Sequence, residues 1–455
     1  MNRTTLTASY LDEIKRRGPQ VSDLIGSQAD SALLNSLYEG RYLARPLFLG
    51  RPERDQLETD LRNLRSALVS LPDRLYGGDL PEFARAVGMS DVQVSAILRS
   101  RGSAVTSLAR PDLYVDESGF RLLEFNMGSA IGGMDNADMI ASLLEHPLLA
   151  GFAQQHGLEY VDTMREEVRT ILTETGFEPG SSPVMVMTDW PSSYTFLEPY
   201  LREYAVRLSG LGLDVSAAHI GQLQARDGRV WLGERPVDII YRVFMLEDLL
   251  ESPEAPALMD PILDAAARGE VKLFTPLDAE MFASKGALAM LSDEKNRSLF
   301  DAEERASLDR ILPWTRMVRP GPVTLEDNSQ ADLLDYALSH RDDLALKPTL
   351  LHGGTGVLLG WHSGTSPQLW EERVRAALDG PYVIQRRIRP VPELFPGEAG
   401  DLAPWIVAWS PFTMLGRFGG IFARATSVES NVEVINVMES KAYVTACLHP
   451  VSGTQ

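Results

Sequence analysis

Two carboxylates and an amide stand at a spacing that suits a hard cation. Arg110-Pro111-Asp112 runs into Leu-Tyr-Val, then Asp116-Glu117-Ser118-Gly119, then Phe120-Arg-Leu-Leu-Glu124-Phe125-Asn126. This reads as strand, tight turn with a late glycine, strand. With Glu117-Ser118-Gly119 as the loop, Asp116 pairs with Phe120, Tyr114 with Leu122, Asp112 with Glu124 and Arg110 with Asn126. Side chains alternate along a strand, so Glu124 and Asn126 share a face, roughly 6–7 Å apart. Carboxylates opposed across a ladder repel, and a cation between them removes that cost. Carboxylate and amide oxygens are hard ligands, and two or three of them beside phosphate oxygens suit Mg²⁺. The same residues also fit a solvated hairpin whose carboxylates face water.

A second group of residues could handle phosphate. In Leu344-Ala-Leu-Lys347-Pro348-Thr-Leu-Leu-His352-Gly353-Gly354-Thr355-Gly356-Val-Leu-Leu-Gly360 a strand ends near Lys347, a glycine-rich loop follows, and an apolar strand leaves it. Glycines let the backbone approach a ligand and aim N–H groups at phosphate oxygens. The loop lacks the Gly-Lys-Ser/Thr ending of a Walker loop. It also lacks the helix that follows a dinucleotide fingerprint. It therefore reads as a lid between antiparallel strands, and a plain hairpin has the same pattern. Gly380-Pro-Tyr-Val-Ile-Gln385 is a strand whose end can face an adenine edge, or a buried strand with a basic outer end. Lys285, beside an apolar helix, reads alone as a snorkelling surface residue. Arg424 lies late in the C-terminal strand Gly419-Gly420-Ile421-Phe-Ala-Arg424.

The elements that must position these groups follow from pattern. Residues up to about 105 read as helical and offer few chemical groups. Leu80 to Leu98 has a helix-turn-helix look, with Gly88 in the turn and Ser90 as N-cap. Its outward positions, among them Asp91, Gln93 and Ser95, do not suit base reading, so it reads as a helical hairpin. After the loop Met127–Gly133, residues 134–178 return to helix. Strands at 183–189, 213–218 and 237–244 with a helix over 191–210 make an α/β layer, and Asp227-Gly228 marks a hairpin turn. Pro276 to Leu312 reads as helical with Asp278 as cap. Short strands dominate from 343, at 343–347, 356–360, 381–388, 404–410 and 417–425, with a helix over 367–378 entered by Ser366. Specificity is expected from the Met127–Gly133 loop, the strand exit at Asp189–Tyr194, and Tyr241-Arg242. Arg242 meets a substrate carboxylate or, more simply, pairs with Glu247 on the surface.

The bulk numbers bound the class. With 455 residues, two or three domains and a large core are expected. Hydrophobic residues make up 44% and charged residues 23%, an ordinary globular composition. A formal net charge of −20 disfavours nonspecific binding to nucleic acid or anionic membrane. The single cysteine, Cys447, allows no intrachain disulfide and no cysteine metal site. The first twenty residues lack an apolar signal core, and no apolar run reaches membrane-spanning length. A cytoplasmic enzyme or binding protein is expected.

Taken together, in order and spacing, these pieces resemble the circularly permuted ATP-grasp enzymes, in particular glutathionylspermidine synthetase-like carboxylate–amine ligases. The family's Arg-x-Asp and Glu-x-Asn correspond to Arg110-Pro111-Asp112 and Glu124-Phe125-Asn126. The resemblance implies Asp112, Glu124 and Asn126 as ligands of two Mg²⁺ ions, with Arg110 beside the γ-phosphate. Lys285, Lys347, the loop His352-Gly353-Gly354-Thr355-Gly356 and Gln385 correspond to ATP-binding positions. Arg424 corresponds to the arginine that stabilises the transferring phosphoryl group. The resemblance covers about 107–130 and 270–440. The family loop carries an Arg-Glu between glycines where this chain has His352-Gly-Gly-Thr-Gly, so which lid atoms meet ATP stays open. The Cys–His amidase of some relatives has no counterpart here.

The implied fold is α/β (α+β): an ATP-grasp fold with a small α/β pre-ATP-grasp layer and a helical N-terminal region. The implied division is 1–105 helical, 106–180 metal-binding hairpin plus helices, 181–276 small α/β domain, and 277–455 nucleotide-binding portion with the lid. The implied reaction is ATP-dependent amide formation from a small carboxylate and an amine through an acyl phosphate, giving ADP and phosphate. An ATP-grasp phosphotransferase with a non-amine acceptor, or a noncatalytic nucleotide-binding module, fits the same motifs. Neither nucleic acid nor membrane is expected as a partner. Substrate identity and oligomeric state are not readable from the chain.

Overall fold

The computed structural model describes residues 2–25, 30–102, 104–397, 401–430, 432 and 434–450. The hairpin forms from Ala109–Asp116 and Gly119–Met127. Its turn is one residue tighter than the sequence reading: Asp116 faces Gly119, Val115 faces Phe120 and Tyr114 faces Arg121. The cause is Asp116, whose Oδ1 accepts from the backbone N–H of Ser118 at 2.8 Å and of Gly119 at 3.1 Å, closing an Asx-type turn. A bulge between Asp112 and Leu113 then takes up the slip, so Asp112 still faces Glu124 and Arg110 still faces Asn126. Bulges re-aim side chains in this way.

That hairpin is the edge of an eight-stranded sheet. The order runs Leu47–Phe48, Tyr443–Pro450, Arg417–Ser427, Leu402–Met414, Ala109–Asp116, Gly119–Met127. Leu47–Phe48 pairs parallel with Tyr443–Pro450, and the other neighbours in this path pair antiparallel. A second sheet is all parallel: Lys272–Phe274, Ile239–Arg242, Val184–Asp189, Asp214–His219. Its central strands are buried along nearly their whole length, as parallel strands covered on both faces must be. A third, antiparallel sheet holds Thr315–Met317, Tyr382–Arg386, Leu344–Pro348 and Leu358–Leu359. The protein is therefore mixed α/β, as its sequence pattern indicates. The expected hairpin at Asp227-Gly228 forms with both residues at positive φ, 53° and 71°, the requirement of a tight hairpin turn.

The stretch read as one helical run from Pro276 to Leu312 breaks into Ala279–Ala283, Lys285–Ser292 and Ala302–Ile311, with a 3₁₀ turn at Glu294–Leu299. The break is Ser284, at φ −59° and ψ 134°. Its hydroxyl accepts from the Gly286 N–H at 3.1 Å and donates to the Val87 carbonyl at 2.8 Å. The helical hairpin Leu80–Ala86 and Asp91–Ser100 has its Ser90 cap. Its second helix packs on Ala255–Ala267, and Arg99 pairs there with Asp260 and, at 2.6 Å, with Asp264. Among the described residues no helix is long and apolar enough to cross a membrane.

Candidate active site

Glu124 stands where the large sheet meets the helix that begins at Lys285. It comes from the edge strand of the large sheet and forms an ion pair with Lys285 Nζ at 3.2 Å. Lys285 is 4% exposed, so it is no snorkelling surface residue. The break at Ser284 places it at the start of its helix, where the backbone dipole disfavours a cation. Lys285 is fixed by its own N–H, which donates to the Thr349 carbonyl at 2.8 Å, and by Nζ donating to the Leu351 carbonyl at 3.1 Å. Burial would raise the Glu124 carboxyl, but Lys285, Lys347 and His352 overcome it and hold the group well below the usual carboxylate range.

Lys347 sits on Leu344–Pro348 of the third sheet. Its Nζ donates to Gln385 Oε1 at 2.6 Å and to the Leu123 carbonyl at 3.2 Å. Gln385 donates in turn to Thr315 Oγ1 at 3.3 Å. Burial lowers the Lys347 ammonium to about 8, with Glu124 opposing and Lys285 adding to the shift.

Asp112 is surrounded by donors. Arg424 reaches its Oδ2 at 2.7 Å, Ser410 Oγ donates to Oδ1 at 2.7 Å, Arg110 Nε lies 3.4 Å away, and Asn126 donates from its amide at 3.3 Å. Arg110 also donates to the Gly132 carbonyl at 2.8 Å, which ties the Met127–Gly133 loop to the hairpin. Burial, with the repulsion of nearby Arg424, lowers the Arg110 guanidinium. Among the described residues, Nε of both arginines lacks a hydrogen-bond partner. Four cationic side chains thus gather round two carboxylates, an arrangement that an anionic ligand completes.

Two cavities open on this cluster. The first runs between the third sheet and the large sheet and is lined by Lys285, Lys347, Gln385, Asp112, Gly353 and Gly354. It holds only about 120 Å³, below the roughly 300–1,000 Å³ of ordinary ligand pockets. The lid is held down over it, with Asn436 Nδ2 donating to the Gly353 carbonyl at 2.8 Å. Gly353 and Gly354 have φ of 66° and 89°. A Cβ on them would lie 2.9 Å from Asn436 Nδ2 and 2.7 Å from Val434 Cγ1, so glycine is required twice over.

The second cavity, of about 510 Å³, is lined by Arg110, Asn126, the 129–133 loop, His352 and the carboxyl end of the parallel sheet. Glu124, Arg424, Gly353 and Asn436 line both cavities. Behind its tyrosines lie two buried carboxyls. Asp135 accepts from Tyr38 at 2.8 Å and Tyr200 at 3.4 Å, and Glu167 from Tyr204 and Tyr241 at 2.6 Å each. Burial pushes both carboxyls up to about 7.

The structure therefore brings Arg110, Asp112, Glu124, Asn126, Lys285, Lys347, Gln385, Gly353, Gly354 and Arg424 to one place. His352 lines the second cavity rather than the first, and Thr355 and Gly356 line neither. Arg242 is corrected on both expectations. It is fully buried, pairs with Glu280, and donates to the carbonyls of Phe244 at 2.6 Å and Thr275 at 2.8 Å, so it neither meets Glu247 on the surface nor faces a ligand. Ser410 and Asn436 carried no sequence expectation. A serine inside the apolar strand Ala408-Trp-Ser-Pro was the available signal for the first, and only tertiary contact marks the second.

Asp112, Glu124 and the Asn126 amide oxygen supply two carboxylates and one neutral oxygen. Among the described residues no group of three or more His, Cys, Asp or Glu could hold a metal. Oxygen ligands of this kind are those Mg²⁺ takes beside phosphate oxygens, and here Asp112 is held by Arg424 and Ser410 and Glu124 by Lys285.

No family model matches the chain, and no curated protein does. Among solved structures it is similar to a glutathione synthetase-like effector from Globodera pallida in the apo form, with TM-score 0.55 and 12% identity over 99% of this chain and 98% of that one. A candidate gamma-glutamylcysteine synthetase from Methylobacillus flagellatus KT gives TM-score 0.43 and 13% identity over 84% of this chain and 88% of that one. The second likeness is too slight to argue from. The first is a likeness of fold at low identity, and it extends from end to end: the chain shares its architecture with a glutathione synthetase-like protein.

Proposed function

We propose that this chain is an ATP-dependent carboxylate–amine ligase with an ATP-grasp type of nucleotide site, acting through an acyl phosphate and releasing ADP and phosphate. One observation carries the reading: Glu124 and Arg424 form a common wall between a lidded, lysine-bearing cavity and a larger second one. The lidded cavity takes the nucleotide, with Lys347 and Lys285 on its phosphates and the Gly353-Gly354 backbone above them. Arg110 and Arg424 orient the substrate carboxylate and balance charge on the transferring phosphoryl group. Asp112, Glu124 and Asn126 would hold Mg²⁺, which when bound screens the phosphate charges. The carboxylate oxygen attacks the γ-phosphorus and ADP leaves. The amine then adds to the acyl carbon, phosphate departs with the C–O bond, and an amide remains after loss of a proton.

The test is ADP release over pooled carboxylic acids and amines with Mg²⁺, run with and without the amines. The expected result is ADP release that needs both reactants and falls by at least about a hundredfold in Glu124→Gln. Release at the wild-type rate in that variant, or release that needs no amine, would falsify this reading.

A further inference from the structure

The second cavity joins a charged part to an apolar one. Its charges come from Arg110, Glu124 and Arg424 on the large sheet and from Asp189, Glu247 and Asp248 around the parallel sheet. Much of the remaining wall comes from two helices. Ala32–Tyr38 gives Leu37 and Tyr38. Pro191–Ser209, which packs on it, gives Leu197, Tyr200, Leu201 and Tyr204, with Ser193 at its start. Among the described residues neither helix adds a charged side chain to the lining. Apart from the serine, these residues belong with Ile131, Met187, Tyr241 and Phe422 to one continuous hydrophobic cluster.

Four tyrosines in this wall have no hydroxyl proton left for a ligand. Tyr38 and Tyr200 each donate to one oxygen of Asp135, and Tyr204 and Tyr241 each to one oxygen of Glu167. Both acids are fully buried and neither lines the cavity. The hydroxyls are thus spent on acids behind the wall, and the rings act toward a ligand as apolar surface.

This apolar wall reaches the anchor for a carboxylate. Phe422 and Arg424 stand two residues apart on Arg417–Ser427, so their side chains share a face, roughly 6–7 Å apart. Both line the cavity. Tyr38 continues the wall, its ring centroid 6.0 Å from that of Phe422. A ligand held by its carboxylate at Arg110 and Arg424 therefore has its next atoms against rings. A charged substituent there would lose water without gaining a partner, whereas an apolar one gains by leaving water. We propose that this wall is the specificity pocket for the carboxylate reactant, so that the reactant is a monocarboxylic acid with an apolar side chain. The pocket stands on its own geometry; its assignment to the reactant that accepts the phosphoryl group rests on the ligase reading.

The experiment has two arms. In the first, the intact protein without nucleotide is titrated in a calorimeter with 3-phenylpropanoate. The comparison ligands are propanoate, which lacks the ring, glutarate, which carries a second carboxylate instead, and 3-phenylpropan-1-ol, which lacks the anion. 3-Phenylpropanoate should bind at least about tenfold more tightly than each, as burial of a ring and pairing of a carboxylate imply. Leu197→Asn and Ile131→Asn, both at half-buried positions, should each lose about tenfold for 3-phenylpropanoate, keep the affinity for propanoate and still melt cooperatively. No binding of 3-phenylpropanoate, equal binding of propanoate or glutarate, or affinity unchanged in both variants overturns the pocket. Equal binding of the alcohol overturns its link to the arginines. The wild-type comparison decides even where a variant does not fold. In the second arm, ADP release with pooled amines and Mg²⁺ should show a kcat/KM for 3-phenylpropanoate at least about tenfold above that for glutarate. The reverse order overturns the assignment to the carboxylate reactant. A protein that binds 3-phenylpropanoate but not MgATP refutes the ligase reading and leaves the pocket intact. ADP release driven by glutarate without binding of 3-phenylpropanoate refutes the pocket and leaves the ligase reading intact.

Discussion

At the scale of single side chains, the pair Glu124–Lys285 holds the two halves of the centre in register. Both partners are largely buried, so removing the carboxylate leaves an uncompensated ammonium, a loss of about 3–5 kcal/mol. Glu124→Gln should therefore lower the melting temperature measurably besides abolishing turnover. Pairing it with Lys285→Met should recover much of the stability and none of the activity, which calorimetry and ADP release together check. Lys347 gives a pH signature. With its ammonium lowered to about 8 from an ordinary value near 10.4, the folded protein holds fewer protons there than the unfolded chain. Stability of the ligand-free protein should thus rise with pH between 8 and 10. Nucleotide phosphate beside Lys347 favours the charged form, so MgATP binding at pH 8.5 should take up protons. Titration calorimetry in two buffers of different ionisation enthalpy reads this directly, and binding heats independent of buffer would refute it. The sequence showed the acids and lysines as types at a spacing. It could not show that Lys285 is buried, because that depends on Ser284 bending the chain toward Val87.

At the scale of elements, two local irregularities in the hairpin offset each other. Asp116 tightened the turn by one residue and the bulge at Asp112/Leu113 restored the pairing, so the chemical end kept the alignment that a simple count produced. Neither device is visible in alternation alone. The strands around 344–360 and 382–386 were legible from their apolar runs and glycines. The anchoring of the lid by Asn436 and the support of Lys285 by the 80–100 hairpin were not, because both are contacts between segments far apart in the chain. Gly88, at φ 104°, brings that hairpin so close that a Cβ would stand 2.4 Å from Thr349 Oγ1 and 2.7 Å from Pro381 Cβ. Gly88→Ala should cost at least about 2 kcal/mol through strain and overpacking. It should also weaken MgATP binding by displacing Thr349, whose carbonyl holds the Lys285 N–H. The lid must lift to admit a nucleotide into about 120 Å³. Amide exchange over 352–357 should accordingly slow on MgATP binding and quicken in Asn436→Ala; mass spectrometry that finds the lid unresponsive to both would refute the gating role.

Over the whole molecule the acids set the pH response. Asp135, Glu167 and Glu247 are raised to about 7, and Asp248 and Asp278 to about 6, by burial first in every case. Each is protonated more readily in the folded state than in the unfolded chain. That contribution is complete below the ordinary carboxylate range near 4 and is lost as pH rises through 6 to 7. Repulsion within a chain of net charge −20 eases in the same direction. The ligand-free protein should melt several degrees higher at pH 6 than at pH 8, by scanning calorimetry. A flat or inverted profile would mean that these carboxyls are charged and compensated in the fold. The pairing of Leu47–Phe48 with Cys447 and Leu448 has a consequence for biosynthesis. A ribosome exposes the first of these segments long before the second exists. The large sheet, and the arginine strand that Tyr443–Pro450 flanks, can close only once residues 443–450 have left the ribosome, so a nascent chain stalled before that point should be protease-sensitive and unable to retain nucleotide.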